Sequence, residues 1–142
     1  MSLQADVITE LYNTIVNDST VQGIIGNPAR MYNTRAVKNP VFPYCVHRLE
    51  NDAVSPVVIS AQYILDLYDY ETTEAQLLNL RDRIITLLDK NKFSINSSRA
   101  IRTNYFNDMQ VAEEGENYLH RVLIFTVRYG RFEEIENVID RG

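Results

Sequence analysis

A single strong helical stripe stands between two blocks of strand-like alternation, and this change of period restricts the fold more than any other feature of the chain. Glu74 opens the stripe behind Thr72 or Thr73 as N-cap, with Leu77, Leu80, Ile84 and Leu87 on one line beside Leu78, Ile85 and Leu88. Asp89-Lys90-Asn91-Lys92 closes it. Before the helix, Tyr44, Val46 and Arg48 alternate with Cys45, His47 and Leu49, and from Ser60 to Tyr70 Tyr63, Leu65 and Leu67 alternate with Gln62, Ile64, Asp66 and Tyr68. Two such strands are expected to pair antiparallel. The turn formers Asn51 to Pro56 connect them, and Val57 to Ile59 extend the second strand backward. After the helix, Ala100 to Asp108 reads as a polar strand carrying Ile101, Tyr105 and Phe106. Tyr118 to Tyr129 alternates Leu119, Leu123, Phe125 and Val127 against His120, Val122, Ile124 and Arg128. Being apolar on both faces from Val122 to Val127, it belongs at the centre of the sheet. An acidic turn, Ala112 to Asn117, joins these last strands.

The chain opens on a second helical period, with Val7, Ile8, Leu11, Ile15 and Val16 on one face and Asp6, Glu10, Asn13 and Asn17 on the other. Asp6 is the expected N-cap. Asn17 to Thr20 ends this helix, and Val21, Ile24 and Ile25 add a helical turn that stops at Gly26. From Asn27 to Pro43 the Asn-Pro and Phe-Pro steps exclude a helix; a short strand at Arg30 to Tyr32 leads into a long loop. After Gly130, Phe132, Ile135 and Val138 or Ile139 line one side of a terminal amphipathic turn. The order is helix, loop, strand, strand, helix, strand, strand. It specifies an α+β fold: a mostly antiparallel sheet, a long amphipathic helix packed on one face, and an N-terminal helix. One domain over residues 1–142 is expected, with about 130–142 as a C-terminal extension.

At 142 residues the chain is long enough to bury a core without disulfides or a structural metal. No apolar run approaches the roughly 20 residues of a membrane span, and the first residues lack the basic and apolar regions of an export signal, so no membrane partner is expected. A net charge of −5 argues against general binding to nucleic acid, which needs clustered Lys and Arg. The charge is unevenly spread. Arg30, Arg35, Lys38 and Arg48 occur in a stretch without acidic residues, and Glu50, Asp52, Asp66, Asp69, Glu71 and Glu74 follow. The long loop holding the first three cations and Phe42 is where a partner contact is expected.

Candidate chemistry is sparse. Cys45 and His47 share one strand face, and His120 on another strand is the third group that a nucleophile pair or a metal would use. No orienting residue or glycine-lined oxyanion site accompanies them. The commoner role of such residues is as a small hydrophobe and a sheet-face imidazole, so no catalytic residue is assigned. Two histidines and one cysteine are too few for a closed zinc site, and Asp66 and Asp69 lie in no calcium-loop pattern. Neither a Gly-x-Gly-x-x-Gly nor a Walker loop occurs, and no cofactor is expected. Asn17-Asp18-Ser19 and Asn96-Ser97-Ser98 match the glycosylation pattern without the export signal that would give it meaning. Nine tyrosines without tryptophan suit a recognition surface, with Tyr32, Tyr44, Tyr68 and Tyr70 its expected members.

Several segments together carry a resemblance. The N-terminal helix ends in the Val21-x-Gly23-Ile24-Ile25-Gly26 corner, followed by Arg30-Met31-Tyr32 and a loop closing on Pro40, Pro43 and Tyr44. Then come the strand Gln62 to Tyr68, the helix Glu74 to Leu88, and the closing strand Arg121 to Tyr129. In this order the chain resembles the tail completion or tail terminator (head–tail joining) proteins of long-tailed bacteriophages and prophages, over roughly Val7 to Tyr129. The stretch beyond Gly130 departs from it, since similar proteins often end near the last strand.

The resemblance implies a structural virion protein rather than an enzyme: a homo-oligomeric ring, commonly a hexamer, at the head-proximal end of the tail. Such a ring ends polymerisation of the tail tube and joins tail to head. Its implied partners are the tube protein and a head–tail connector, and its implied location is the virion, reached from the cytoplasm of the bacterial host during assembly. A dipolar subunit suits a contact of this kind, with Arg30, Tyr32, Arg35, Lys38 and Phe42 on one side and Asp66, Tyr68, Asp69, Glu113 and Glu114 on the other. The rival readings are another connector or minor tail protein, and a small enzyme or ligand-binding domain with a cleft near Cys45, His47 and Asp66.

Overall fold

The computed structural model describes residues 3–54, 58–70, 73–95, 99–111 and 118–131. Three helices and a six-stranded sheet alternate along them: α1 (Leu3–Val16), α2 (Ser19–Ile25), β1 (Met31–Asn33), β2 (Tyr44–Val54), β3 (Val58–Tyr70), α3 (Glu74–Leu88), β4 (Asn91–Ser94), β5 (Arg99–Val111) and β6 (Tyr118–Arg131). The sheet order is β1-β2-β3-β6-β5-β4. Every pairing is antiparallel except β1 with β2, where a short strand arrives from the same direction. The fold is the expected α+β arrangement, with the helices packed against the sheet.

Each helix forms where apolar positions recur on one line. In α1, Val7, Leu11 and Ile15 fall at every fourth residue and are fully buried. The helix starts at Leu3, so Asp6 is not its cap; it lies in the first turn, where its carboxylate opposes the positive end of the helix dipole. Asp18 caps α2, its Oδ2 accepting from the Val21 N–H at 3.1 Å. Gly26 ends α2 at φ +90°, a conformation that costs glycine least. In α3 the buried line is Leu77, Leu80, Ile84 and Leu88. Leu88 takes the place expected of Leu87, because a step of four from Ile84 keeps closer to the 3.6-residue turn than a step of three. Thr73 occupies the N-cap position of α3 without a side-chain cap bond, its hydroxyl donating instead to the Tyr70 carbonyl at 3.1 Å.

Two differences from the sequence reading concern strand ends. The stretch expected to be a turn after Glu50 continues as β2 to Val54, with an irregularity in register between Asn51 and Ala53 that accommodates its turn-forming residues. Beyond α3, the expected terminator Asn91-Lys92 becomes β4, because Lys90 at φ +57° reverses the chain directly alongside β5. The Thr103 hydroxyl donates to the Leu88 carbonyl, and the Tyr105 N–H donates to Asp89 Oδ1 at 2.7 Å, fixing that reversal. The expected turn at Ala112 to Asn117 and the terminal amphipathic turn from Phe132 lie outside the described residues.

β6 is central, between β3 and β5. Among the described residues only one of its faces is covered by helices: Leu123, Phe125, Val127 and Tyr129 are fully buried, whereas Val122, Ile124 and Thr126 are half-buried and Arg128 is exposed. The helix-covered face carries the core, where Cys45, Leu49, Tyr63, Leu65, Leu67 and Ile101 meet the stripes of all three helices.

Candidate interaction surface on the open sheet face

Strand register determines which side chains reach the open face. Tyr44 pairs with Tyr68 and Tyr68 with His120, while Val46 pairs with Asp66 and Asp66 with Val122, so all of these share the side away from the helices. Their rings form one cluster. Tyr44 and Tyr68 stack at 4.7 Å between centroids, and Tyr68 stacks on His120 at 4.2 Å. Phe42, brought in from the 34–43 loop, lies 5.3 Å from Tyr44, 4.7 Å from Tyr70 and 5.6 Å from Tyr118, and Tyr32 on β1 lies 6.1 Å from Tyr44.

Beneath the rings runs a polar chain. Asp66 Oδ1 lies 2.7 Å from His120 Nε2, its Oδ2 accepts from Arg48 Nη1 at 2.9 Å, and Arg48 Nε donates to Glu50 at 3.1 Å. Asp66 and His120 are 9% and 8% exposed although no helix among the described residues covers them; the aromatic cluster and the strands themselves exclude water there. Both carboxylate oxygens of Asp66 are thus engaged, and what the surface offers a partner is stacking area and edge-on hydrogen bonds.

The cleft considered near Cys45, His47 and Asp66 does not form, because the pleat divides those residues between opposite faces. Cys45 and His47 lie under α1 on the helix side, Asp66 and His120 on the open side. Burial and the nearby Asp66 carboxylate push the Cys45 thiol up to about 12 and keep it protonated. Burial pushes His47 down to about 4; its Nδ1 lies 2.7 Å from the Tyr63 hydroxyl, which burial also holds protonated. A neutral imidazole accepting from a buried phenol is a core hydrogen bond. A cleft of about 300 Å³ beside His47 is lined by Ile8, Thr9, Tyr12, Met31 and Asn33, with no carboxylate, thiol or amine among those lining residues.

Of the residues expected at an interface, Tyr32, Phe42, Asp66 and Tyr68 are brought together here. Arg35 and Lys38 stand exposed on the adjoining loop with Val37 and Val41, the latter two 54% and 64% exposed. Arg30 is used within the subunit: its Nε donates to the Pro43 carbonyl at 2.9 Å and its Nη2 to the Ile24 carbonyl at 3.2 Å, clasping the loop to the end of α2. Asp69 lies on the helix side and is 1% exposed, with Oδ1 accepting from the Tyr70 N–H at 2.7 Å. Glu113 and Glu114 lie outside the described residues. Arg48, Tyr118 and His120 belong to the surface without having been assigned to it; their alternation with core positions was visible, but only the cross-strand register joins them to Asp66 and Phe42.

Comparison with solved structures places this fold. A chain from the virion of a native gene transfer agent particle superposes with a TM-score of 0.70 at 12% identity, over 91% of this chain and 95% of its own length. The two share a fold. A second solved structure gives 0.57 at 10% identity, over 92% of this chain and 96% of its own. No protein-family model matches the sequence, and no curated protein is significantly similar to it.

Proposed function

We propose that this chain is a structural, non-catalytic component of a phage-like virion, and within it the ring that ends the tail tube and joins it to the head. The observation that carries the reading is the near full-length likeness in fold to a gene transfer agent virion chain. The resemblance of the chain's segments to tail terminator proteins supplies the finer role. On this reading the subunit forms a closed homo-oligomer, commonly of six copies, with one axial side on the tube protein and the other toward a connector. The exposed loop with Arg35 and Lys38 and the aromatic cluster around Phe42 supply contacts to neighbouring subunits or the tube.

Particle assembly with and without the chain tests this role. Tails made in its absence are expected to vary in length and remain unjoined to heads, and wild-type chain supplied in trans restores both. Uniform, joined tails in its absence would refute the terminator role. Light scattering after size exclusion, over a range of concentration and salt, is expected to show a mass of several subunits. Charge reversal at Arg35 or Lys38 is expected to lower that mass without changing the thermal unfolding of the subunit.

A further inference from the structure

The sheet has two incompletely covered edges, and their positions match. β1 pairs with β2 only at Cys45 to His47, so from Arg48 to Val54 the outer side of β2 faces no strand among the described residues. There Gln4 Nε2 donates to the Leu49 carbonyl at 3.2 Å, a side chain standing where a strand would. At the other margin β4 pairs with β5 only at Ala100 to Thr103, so from Asn104 to Val111 the outer side of β5 faces no strand among the described residues. That margin carries Tyr105, Phe106 and Met109, 39%, 59% and 46% exposed. An open strand edge with exposed large apolar side chains is a template for another strand.

We propose that these edges join one copy of this chain to the next, β2 of one subunit lying antiparallel to β5 of its neighbour. The four long strands, β2, β3, β6 and β5, alternate in direction. A second copy placed beside the first with the same face outward therefore presents its β2 antiparallel to the first copy's β5, and the alternation continues unbroken. The contact joins two different patches, the head-to-tail kind that generates rings.

The registers fix how far one copy must slide. Glu50 stands level with Asn104 through Gln62 and Thr126, and Tyr44 stands level with Val111 through Tyr68 and His120. A slide of four residues brings Arg48 to the level of Tyr44 and, across the irregularity between Asn51 and Ala53, Val54 to the level of Leu49. The open part of β2 then faces the open part of β5 over its whole length, clear of β1 and β4. An even slide also leaves every side chain on its own face. Four residues at about 3.3 Å displace the copy by roughly 13 Å, while four strands at about 4.8 Å make each repeat roughly 19 Å wide. The strands are then inclined by about 35°, within the range over which closed barrels form. The offset between the two edges is thus the stagger that closure requires. Closure into a ring rests on the proposed function above; the strand contact itself does not.

In this register Glu50 lies opposite Met109 of the neighbour, both on the open face. The double variant Glu50→Cys/Met109→Cys, oxidised with copper-phenanthroline at several protein concentrations, is expected to give a ladder of disulfide-linked multimers on non-reducing gels, with Cys45 left in place as a buried thiol. Either single variant is expected to give no more than wild type, and the two mixed are expected to give dimers. The absence of a ladder in the double variant, or equal cross-linking by one single variant, would overturn the proposal. A ladder that lengthens without stopping would support the strand contact and refute the closed ring; a ring mass by light scattering without cross-linking would do the reverse. Met109→Lys, on an exposed side chain, is expected to weaken self-association at least tenfold while leaving thermal unfolding unchanged.

Discussion

Lowering the pH should destabilise this protein through His47, and the size of that effect follows from the core. His47 is 3% exposed, stacked against Tyr12 at 5.5 Å and hydrogen-bonded through Nδ1 to the buried Tyr63 hydroxyl. Burial depresses its pKa from 6.5 to about 4. Because the folded value lies below the unfolded one, the unfolded chain takes up a proton first as pH falls. The stabilising contribution is complete above about pH 6.5, declines at about 1.4 kcal/mol per pH unit, and is exhausted near pH 4, where folded His47 also protonates. The total is roughly 3 kcal/mol, a large share of the 5–15 kcal/mol typical of a domain. Urea titrations of wild type and His47→Gln at pH 7, 6, 5 and 4 isolate it, since the glutamine amide can accept from Tyr63 and does not titrate. The advantage of wild type over the variant is expected to fall by about 3 kcal/mol across that range. A constant difference would refute the assignment of His47 as a buried neutral imidazole.

Three other perturbations have outcomes fixed by the structure. Asp18→Ala removes the cap of α2 and the two hydrogen bonds from Arg83, at 2.7 and 3.0 Å, and the cap alone should cost about 1 kcal/mol in urea unfolding, with Asp18→Asn milder. The Arg83 guanidinium holds the Asp18 carboxyl below its usual range, so that contribution is present at neutral pH and lost as pH falls through the folded value, below that of a free carboxylate. Gly26→Ala adds a Cβ 2.8 Å from Arg30 Nη1 at φ +90° and should lower stability by about 1–3 kcal/mol while loosening the clasp on the loop, read as faster proteolysis there. Cys45 should be unreactive toward a thiol-specific disulfide reagent at pH 8 and react fully once urea unfolds the chain; rapid reaction in the native state would show that its strand opens.

The helices and long strands were legible because burial imposes a period on the sequence, and the side of the sheet facing α1 and α3 imposes it strongly. Val7, Leu11 and Ile15, or Tyr63, Leu65 and Leu67, could hardly be placed otherwise. β4 was not legible, since Asn91 to Ser94 has no apolar alternation and becomes a strand by lying beside β5 after a reversal at Lys90. The course of β2 past Glu50 was hidden for a related reason: turn-forming residues there are held in the sheet by pairing with β3. The candidate surface was half legible. Tyr32, Phe42, Asp66 and Tyr68 were expected at an interface, but the separation of His120 from His47 depends on the register of β3 between β2 and β6, which no local pattern encodes. Arg30 and Asp69 show the converse, charged residues whose sequence neighbourhood suggests a surface and whose backbone partners hold them inside.

The two faces of the sheet divide the demands on this chain. On the helix side the polar groups brace the fold: the buried His47 satisfies Tyr63, and the partly covered Asp108 accepts from Arg121 at 3.2 Å while pairing with Arg81 of α3 at 3.2 Å, which ties helix to sheet. On the open side Asp66 and His120 are just as dry, yet they are covered by Tyr44, Tyr68 and the ring cluster that Phe42 completes. Removing water from a carboxylate is costly unless its oxygens stay paired, so this network depends on the rings above it. Phe42 belongs to the same loop as Arg35 and Lys38, and Arg30 fastens that loop to α2. On the proposed reading, a partner that engages the loop acts on side chains joined through Phe42 to the open face and through Arg30 to α2.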